Sequence, residues 1–308
     1  MTTALITHAD GLNHVTPDGH PERVARLEHL LHAVQGLDLL RVSAPEATDA
    51  DLTLCHPQSY VDRIRAAAPS EGYHQLDADT WMSPGSLVAA LRAAGGAIKA
   101  VDMVMGGEVQ NAFCATRPPG HHAETETPMG FCLFGTAAIA AKHALDHHGL
   151  DRVAVVDFDV HHGNGTQDLL WNEPRALFIS SHQSPLWPGS GQPNERGAHD
   201  NVLNLPLTPN SGGAEMRSAW ETQAFPRLRA FDPELLIISA GFDAHQDDPL
   251  ANLNWSVDDF RWITGALCEI AQSHCKGRVV STLEGGYDLE GLCDSARAHV
   301  EVLMEAGA

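Results

Sequence analysis

At 152–160 (RVAVVDFDV) and 235–239 (LLIIS) the chain carries strand-length apolar runs with little polar alternation. A strand of that kind must be covered on both faces, which a parallel sheet between layers of helices achieves. Comparable runs occur at 109–115 (VQNAFCA), 176–180 (ALFIS) and 278–283 (RVVSTL). Segments of helical period alternate with them: 22–34 behind Pro21, 85–104 behind Pro84, then 136–148, 213–229, 257–273 and 290–305. Proline at a first helical position explains the first two starts. The alternation predicts one doubly wound α/β domain over 1–308, with function on the loops that follow the strands. A length of 308 residues allows one or two domains, and no composition shift marks a boundary.

Composition narrows the class of partner. Forty acidic against nineteen basic residues give a net charge of −21. Such a chain repels phosphate backbones and anionic lipid, so neither nucleic acid nor a membrane is expected as a partner, whereas a cationic substrate is attracted. The opening MTTALITHADG has no basic stretch followed by an apolar core, so no secretory leader is expected there. Six cysteines lie scattered without a CxxC pair, which reads as reduced thiols in a cytoplasmic protein. A homo-oligomer is compatible with all of this.

Four strand ends carry chemistry. In VAVVDFDVHHGNG, Asp157, Asp159 and His161 alternate at the end of a buried strand, and period two predicts one shared face. A carboxylate and an imidazole two residues apart begin a divalent-metal site of the zinc class; alone they read better as helix-capping aspartates and a satisfied core histidine. LLIIS runs into AGFDAHQDDP and adds Asp243 as a third ligand, which also fits a simple turn residue. Three protein ligands with an open fourth position describe a catalytic metal site. The third strand ends in Pro118-Pro119-Gly120-His121-His122. Adjacent histidines point in different directions, so at least one should face a cavity, as a general base or a stabiliser of developing charge. Asp157 and Asn164 are the candidates to orient them. The fourth ends in Glu284-Gly285-Gly286-Tyr287, whose tyrosine suits an oxyanion donor or an ordinary loop contact. Together these ends describe a mononuclear metallohydrolase.

Read as a set, the segments resemble the histone deacetylase family, including its bacterial deacetylase-like amidohydrolases, acetylpolyamine amidohydrolases and acetoin-utilisation proteins. The matching segments are HPERV at 20–24, RPPGHHAE at 117–124, GFCLF at 130–134, DFDVHHGNGTQ at 157–167, PGSGQ at 188–192, SAGFDAHQDDPL at 239–250 and LEGGY at 283–287. The resemblance implies an arginase-like three-layer α/β/α fold with a mostly parallel sheet of about eight strands. It assigns zinc to Asp159, His161 and Asp243, with ferrous iron accepted by a similar donor set. It makes His122 the general base, His121 its electrostatic partner, Asp157 and Asn164 their orienting residues, and Tyr287 the transition-state tyrosine. A structural potassium falls to Asp157, Asp159, His161, Ser180 and Ser181, partly through backbone carbonyls.

For the substrate, the resemblance implies an acyl-lysine tunnel walled by Phe131 and Trp187, with Gly130 beside them. Arg23 falls on an inner-channel arginine, and Asp77 or Asp79 on a loop acid that grips substrate backbone. Leu250 stands where polyamine-selective relatives carry a glutamate. The implied activity is hydrolysis of the amide of N-acyl-lysine in a protein or peptide. An acetylpolyamine or other small acylated amine is the alternative, and a catalytically silent acyl-ligand-binding protein a further one. A two-manganese ureohydrolase of the arginase type needs more carboxylates than the Gly163 and Ala244-His245 positions provide.

Overall fold

The computed structural model describes residues 2–308. Its strands are β1 (Thr3–Thr7), β2 (Leu40–Ser43), β3 (His74–Gln75), β4 (Trp81–Met82), β5 (Asn111–Cys114), β6 (Val153–Asp157), β7 (Ala176–Gln183), β8 (Val202–Leu207), β9 (Leu235–Ala240) and β10 (Val279–Leu283). Its α-helices are α1 (Val24–Ala33), α2 (Asp49–Leu52), α3 (Gln58–Ala67), α4 (Ser86–Met105), α5 (Thr136–Asp146), α6 (Asn164–Leu170), α7 (Gly213–Ala219), α8 (Phe225–Phe231), α9 (Val257–His274) and α10 (Leu289–Ala306). Eight strands form one sheet in the order β2-β1-β5-β10-β9-β6-β7-β8, every pair parallel, while β3 and β4 make a small antiparallel hairpin.

The apolar runs serve two cores at once. Along β6, Ala154 and Val156 pack with α1, α9 and α10, whereas Val153 and Val155 pack with α4 and α5 on the opposite face. Successive side chains of a strand point to opposite faces, so a strand covered on both sides needs apolar residues at every position. This produces the three-layer α/β/α arrangement.

Several local readings differ from the structure. β6 stops at Asp157, so Asp159 and His161 lie in the turn beyond it. Side-chain caps replace the ladder there: Asp159 N donates to Asp157 Oδ1 at 3.0 Å and His161 N to Asp159 Oδ1 at 2.9 Å. The segment 213–229 is not one continuous α-helix. Between α7 and α8 the residues Trp220–Ala224 form a π-helical turn in which Phe225 N bonds to Trp220 O. Pro226, next in the chain, has no N–H to continue the regular ladder. β1, β2 and β8 escaped the periodicity argument. β2 lies exposed at one sheet edge, and β8 carries Pro206, which is tolerated because β8 is the other edge.

Candidate active site

The four strands that precede the candidate residues, β5, β10, β9 and β6, are neighbours in the middle of the sheet. Because all run parallel, their C-terminal ends open onto one edge. His121 and His122 follow β5, Tyr287 follows β10, Asp243 follows β9, and Asp159 and His161 follow β6. Residues separated by up to 166 positions therefore converge, as expected of ligand sites in open α/β sheets.

Asp159, His161 and Asp243 offer three ligand atoms that all lie within 4.8 Å of one another. His161 Nδ1 stands 3.2 Å from Asp159 Oδ1 and 3.1 Å from Asp243 Oδ2. Both carboxylates are wholly buried, and among the described residues their ion pairs are with histidines alone. Burial works against the His161 cation, yet the two aspartates outweigh it and lift the imidazole pKa to about 10. Two buried carboxylates facing one imidazole favour positive charge among them, and the donor set fits a divalent cation. The spare oxygens are fixed from behind: Gly285 N donates to Asp159 Oδ2 at 2.8 Å and Val160 N to Asp243 Oδ1 at 2.9 Å. At Gly285 a Cβ would come within 2.1 Å of Asp243 Oδ2, so glycine is required for this approach.

The tandem histidines share a turn but differ in electrostatics. Gly120 N and His121 N both donate to buried Glu284 Oε2, at 2.7 and 3.1 Å, which pins the turn to the end of β10. His121 Nδ1 meets Asp157 Oδ2 at 3.0 Å, and His122 Nδ1 meets Asn164 Oδ1 at 2.7 Å. Asn164 Nδ2 in turn donates to Glu124 Oε1 at 2.8 Å, so its oxygen is the atom that faces His122. Burial disfavours the His121 cation, but Asp159 and Asp157 overcome it and hold the pKa well above the usual value. Burial also lowers His122, and the neighbouring His121 and His161 push it further down, well below the usual value. The two adjacent imidazoles thus differ in partner, a carboxylate for His121 and a neutral amide for His122.

A cavity of about 220 Å³ opens over this cluster, lined by Phe131, Gly130, Trp187, Leu250, Tyr287 and Asp79 together with His122 and His161. Gly130 and Phe131 both hold positive φ, 56° and 69°, an uncommon conformation for phenylalanine. A Cβ at Gly130 would come within 2.4 Å of the His122 ring and 2.6 Å of Trp187. The Trp187 ring lies edge-on to His122 at 4.7 Å yet is 41% exposed, so it borders both the floor and the rim. Asp77 and Asp79 separate here. Asp77 Oδ1 accepts from Asp79 N at 3.0 Å and from Thr80 N at 2.6 Å within its own loop, whereas Asp79 lines the cavity.

Tyr287 is 7% exposed and packs its ring edge-on to Phe131 at 5.8 Å. Its backbone N donates to Asp248 Oδ2 at 2.7 Å, a carboxylate whose other oxygen accepts from Leu250 N at 3.0 Å. Asp248 therefore ties the tyrosine to the Leu250 loop. The arginine beside Tyr287 is Arg26, not Arg23. Arg23 is exposed and extended at the start of α1, outside the helical phase that turns Arg26 inward. Arg26 lies 4.8 Å from the Tyr287 ring centroid and donates to Gly286 O and Glu284 O, both at 2.6 Å. Buried Glu22 supports it at 3.0 Å and also pairs with Arg117. Arg26, Glu22, Glu284 and Asp248 were given no role in the sequence; apart from the i,i+4 pair Glu22–Arg26, their partners lie far along the chain.

Of the residues implied for potassium, Asp157 and Ser180 face each other across neighbouring strands. Asp157 is in register with Ser180 on β7 and Ser239 on β9. Ser180 Oγ bonds His182 Nδ1 at 2.9 Å, while the buried Ser181 hydroxyl has no side-chain hydrogen-bond partner.

The histone deacetylase domain family matches residues 20–303. A histone deacetylase-like amidohydrolase of Pseudomonas aeruginosa is 42% identical, over 87% of this chain and 71% of its own. A probable deacetylase of Archaeoglobus fulgidus is 36% identical, over 94% and 83% respectively. Among solved structures, the crystal structure of the HDA15 HD domain superposes with a TM-score of 0.93 at 32% identity, covering 99% of this chain and 88% of that one. The fold is that of the histone deacetylases, and no helix among the described residues is long and apolar enough to cross a membrane. With the family match running almost from end to end, the chain belongs to the histone deacetylase family of deacetylases and amidohydrolases.

Proposed function

We propose that the protein hydrolyses the side-chain amide of N-acyl-lysine in a protein or peptide, and that Asp159, His161 and Asp243 hold a zinc ion for that reaction. Bound there, zinc polarises an amide carbonyl and makes water acidic enough to attack at neutral pH. Ferrous iron suits the same donors. His122 takes the proton from the attacking water at Nε2, because Nδ1 is committed to Asn164. His121, oriented by Asp157, stabilises the negative charge that develops beside it. The Tyr287 hydroxyl donates to the carbonyl oxygen as it becomes an oxyanion, and a protonated histidine returns its proton to the leaving amine. Products are a carboxylate and a free lysine amine.

Phe131 and Trp187 flank the aliphatic part of the acyl-lysine, Gly130 leaves the width for it, and Asp79 at the rim accepts from a substrate backbone N–H. Potassium held by Asp157, Asp159, His161, Ser180 and Ser181 braces the turn after β6. The observation that carries this reading is geometric: Asp159, His161 and Asp243 bring three ligand atoms within 4.8 Å of one another, and His161 lines one cavity together with His122 and Tyr287. A small acylated polyamine is the second reading; the net charge of −21 suits it and a lysine-bearing protein equally, and apolar Leu250 at the rim counts against it. We read the protein as acting in the cytoplasm, on the strength of six unpaired cysteines, and without nucleic acid as a partner.

The test is a deacylation assay of metal-quantified protein on acetyl- and trifluoroacetyl-lysine peptides and acetylated polyamines, with a hydroxamate control. Hydroxamate-sensitive turnover of the lysine peptides is the expected result. Turnover confined to polyamines supports the second reading, and zinc-loaded protein that binds acylated ligands without turnover would make this a binding protein.

A further inference from the structure

A second group of metal-ligating side chains lies at the other edge of the sheet. Asp102 sits in the last turns of α4, and His143 sits in the last turn of α5. His147 and His148 follow directly, before Gly149 reverses the chain at a φ of 68°. Helices α4 and α5 each lead into the start of a central strand, β5 and β6. Their C-terminal ends therefore lie at the edge opposite the candidate active site.

The four side chains each offer one ligand atom, all within 4.8 Å of one another. Asp102 Oδ1 meets His143 Nε2 at 2.7 Å and His148 Nε2 at 2.8 Å. The His143 and His147 rings stack at 4.7 Å, and His148 stands nearly perpendicular to both, at 5.4 and 5.0 Å. The nearby cations are taken: Lys142 pairs with Glu173, and Arg175 with Glu173 and Asp146. Among the described residues the ion pairs of Asp102 are to His143 and His148 only. Two helix C-termini also meet here, and the partial negative charge of such ends favours a cation.

We propose that Asp102, His143, His147 and His148 form a second, structural metal site that takes a divalent ion of the zinc class and clamps α4 to α5. Three imidazoles and a carboxylate fill all four positions of a tetrahedral ion, which is the pattern of a closed structural site and not of one that keeps a place for substrate. Imidazole-rich donors select zinc, copper or nickel over magnesium or calcium. On binding, the ion takes the place of the hydrogen bonds from His143 and His148 to Asp102, each Nε2 proton moving to Nδ1 or to solvent.

The experiment counts zinc per chain. Tag-free protein is stripped with chelator, loaded with Zn²⁺, desalted and analysed for metal beside the His147→Ala/His148→Ala double variant and Asp102→Asn. The expected result is two zinc per wild-type chain and one in each variant, with unchanged circular dichroism and turnover. Loading with Co²⁺ gives a second readout, since the wild-type minus variant spectrum should show the intense visible bands of a tetrahedral ion. One zinc in the wild type that both variants retain, or two zinc retained in the variants, would overturn the proposal. One zinc in the wild type and none in the variants would leave this site standing and defeat the metal assignment at Asp159, His161 and Asp243.

Discussion

Both clusters of histidine and aspartate belong to one sheet, yet they are built for opposite ends. At the C-terminal edge, Asp159, His161 and Asp243 come from two strand ends, are buried, and stop at three ligands beneath a cavity. At the N-terminal edge, Asp102, His143, His147 and His148 come from two helix ends, stay partly exposed and supply four. The lesson is that donor type alone does not assign a role. What separates the clusters is the number of donors, their burial and whether a histidine pair and a tyrosine stand beside them under a cavity.

The sharpest break is at the buried cluster. Asp243→Asn or His161→Ala should reduce turnover to background and remove one zinc, read together by assay and metal analysis; full zinc in either variant would strike these residues from the ligand set. Tyr287→Phe should lower kcat roughly 10²- to 10³-fold with zinc content unchanged, on the scale of a lost oxyanion donor. A near wild-type rate would remove the tyrosine from the chemistry. Asn164→Ala should cost about 10- to 100-fold in kcat, the usual effect of losing a partner that orients an imidazole. An effect confined to KM would show that His122 needs no such orientation.

The outer cluster should respond differently. His147→Ala/His148→Ala should leave kcat and KM unchanged while lowering the zinc-saturated Tm by about 1–2 °C, equivalent to about 1 kcal/mol in a chain of this length. A loss of turnover on the scale of Asn164→Ala would mean that the two edges communicate, and the comparison would fail.

Much of the inner site was legible because its chemistry is written in short contiguous segments at strand ends. PPGHH, DFDVHHGN, GFD and EGGY each carry both the turn and the functional side chain. The supporting residues were not legible, because their contacts cross the chain. Arg26 reaches Gly286 O across 260 positions, and Glu284 holds the turn at Gly120 from 164 away. Arg23 was singled out in place of Arg26 since a motif match does not show where a helix begins. Likewise His143, His147 and His148 acquire meaning only when α4 brings Asp102 against them. Edge strands β2 and β8 were missed for a related reason: lying at the margins, they lack the uninterrupted apolar runs of the centre.

The most direct test of the central claim uses the His147→Ala/His148→Ala chain, in which only the inner cluster remains. Metal-free protein is titrated with Zn²⁺ while deacylation of an acetyl-lysine peptide is followed. Turnover rising from zero and levelling at one equivalent is the predicted result. Full activity in the metal-free chain, or one bound equivalent with no turnover on any acylated substrate, would contradict it.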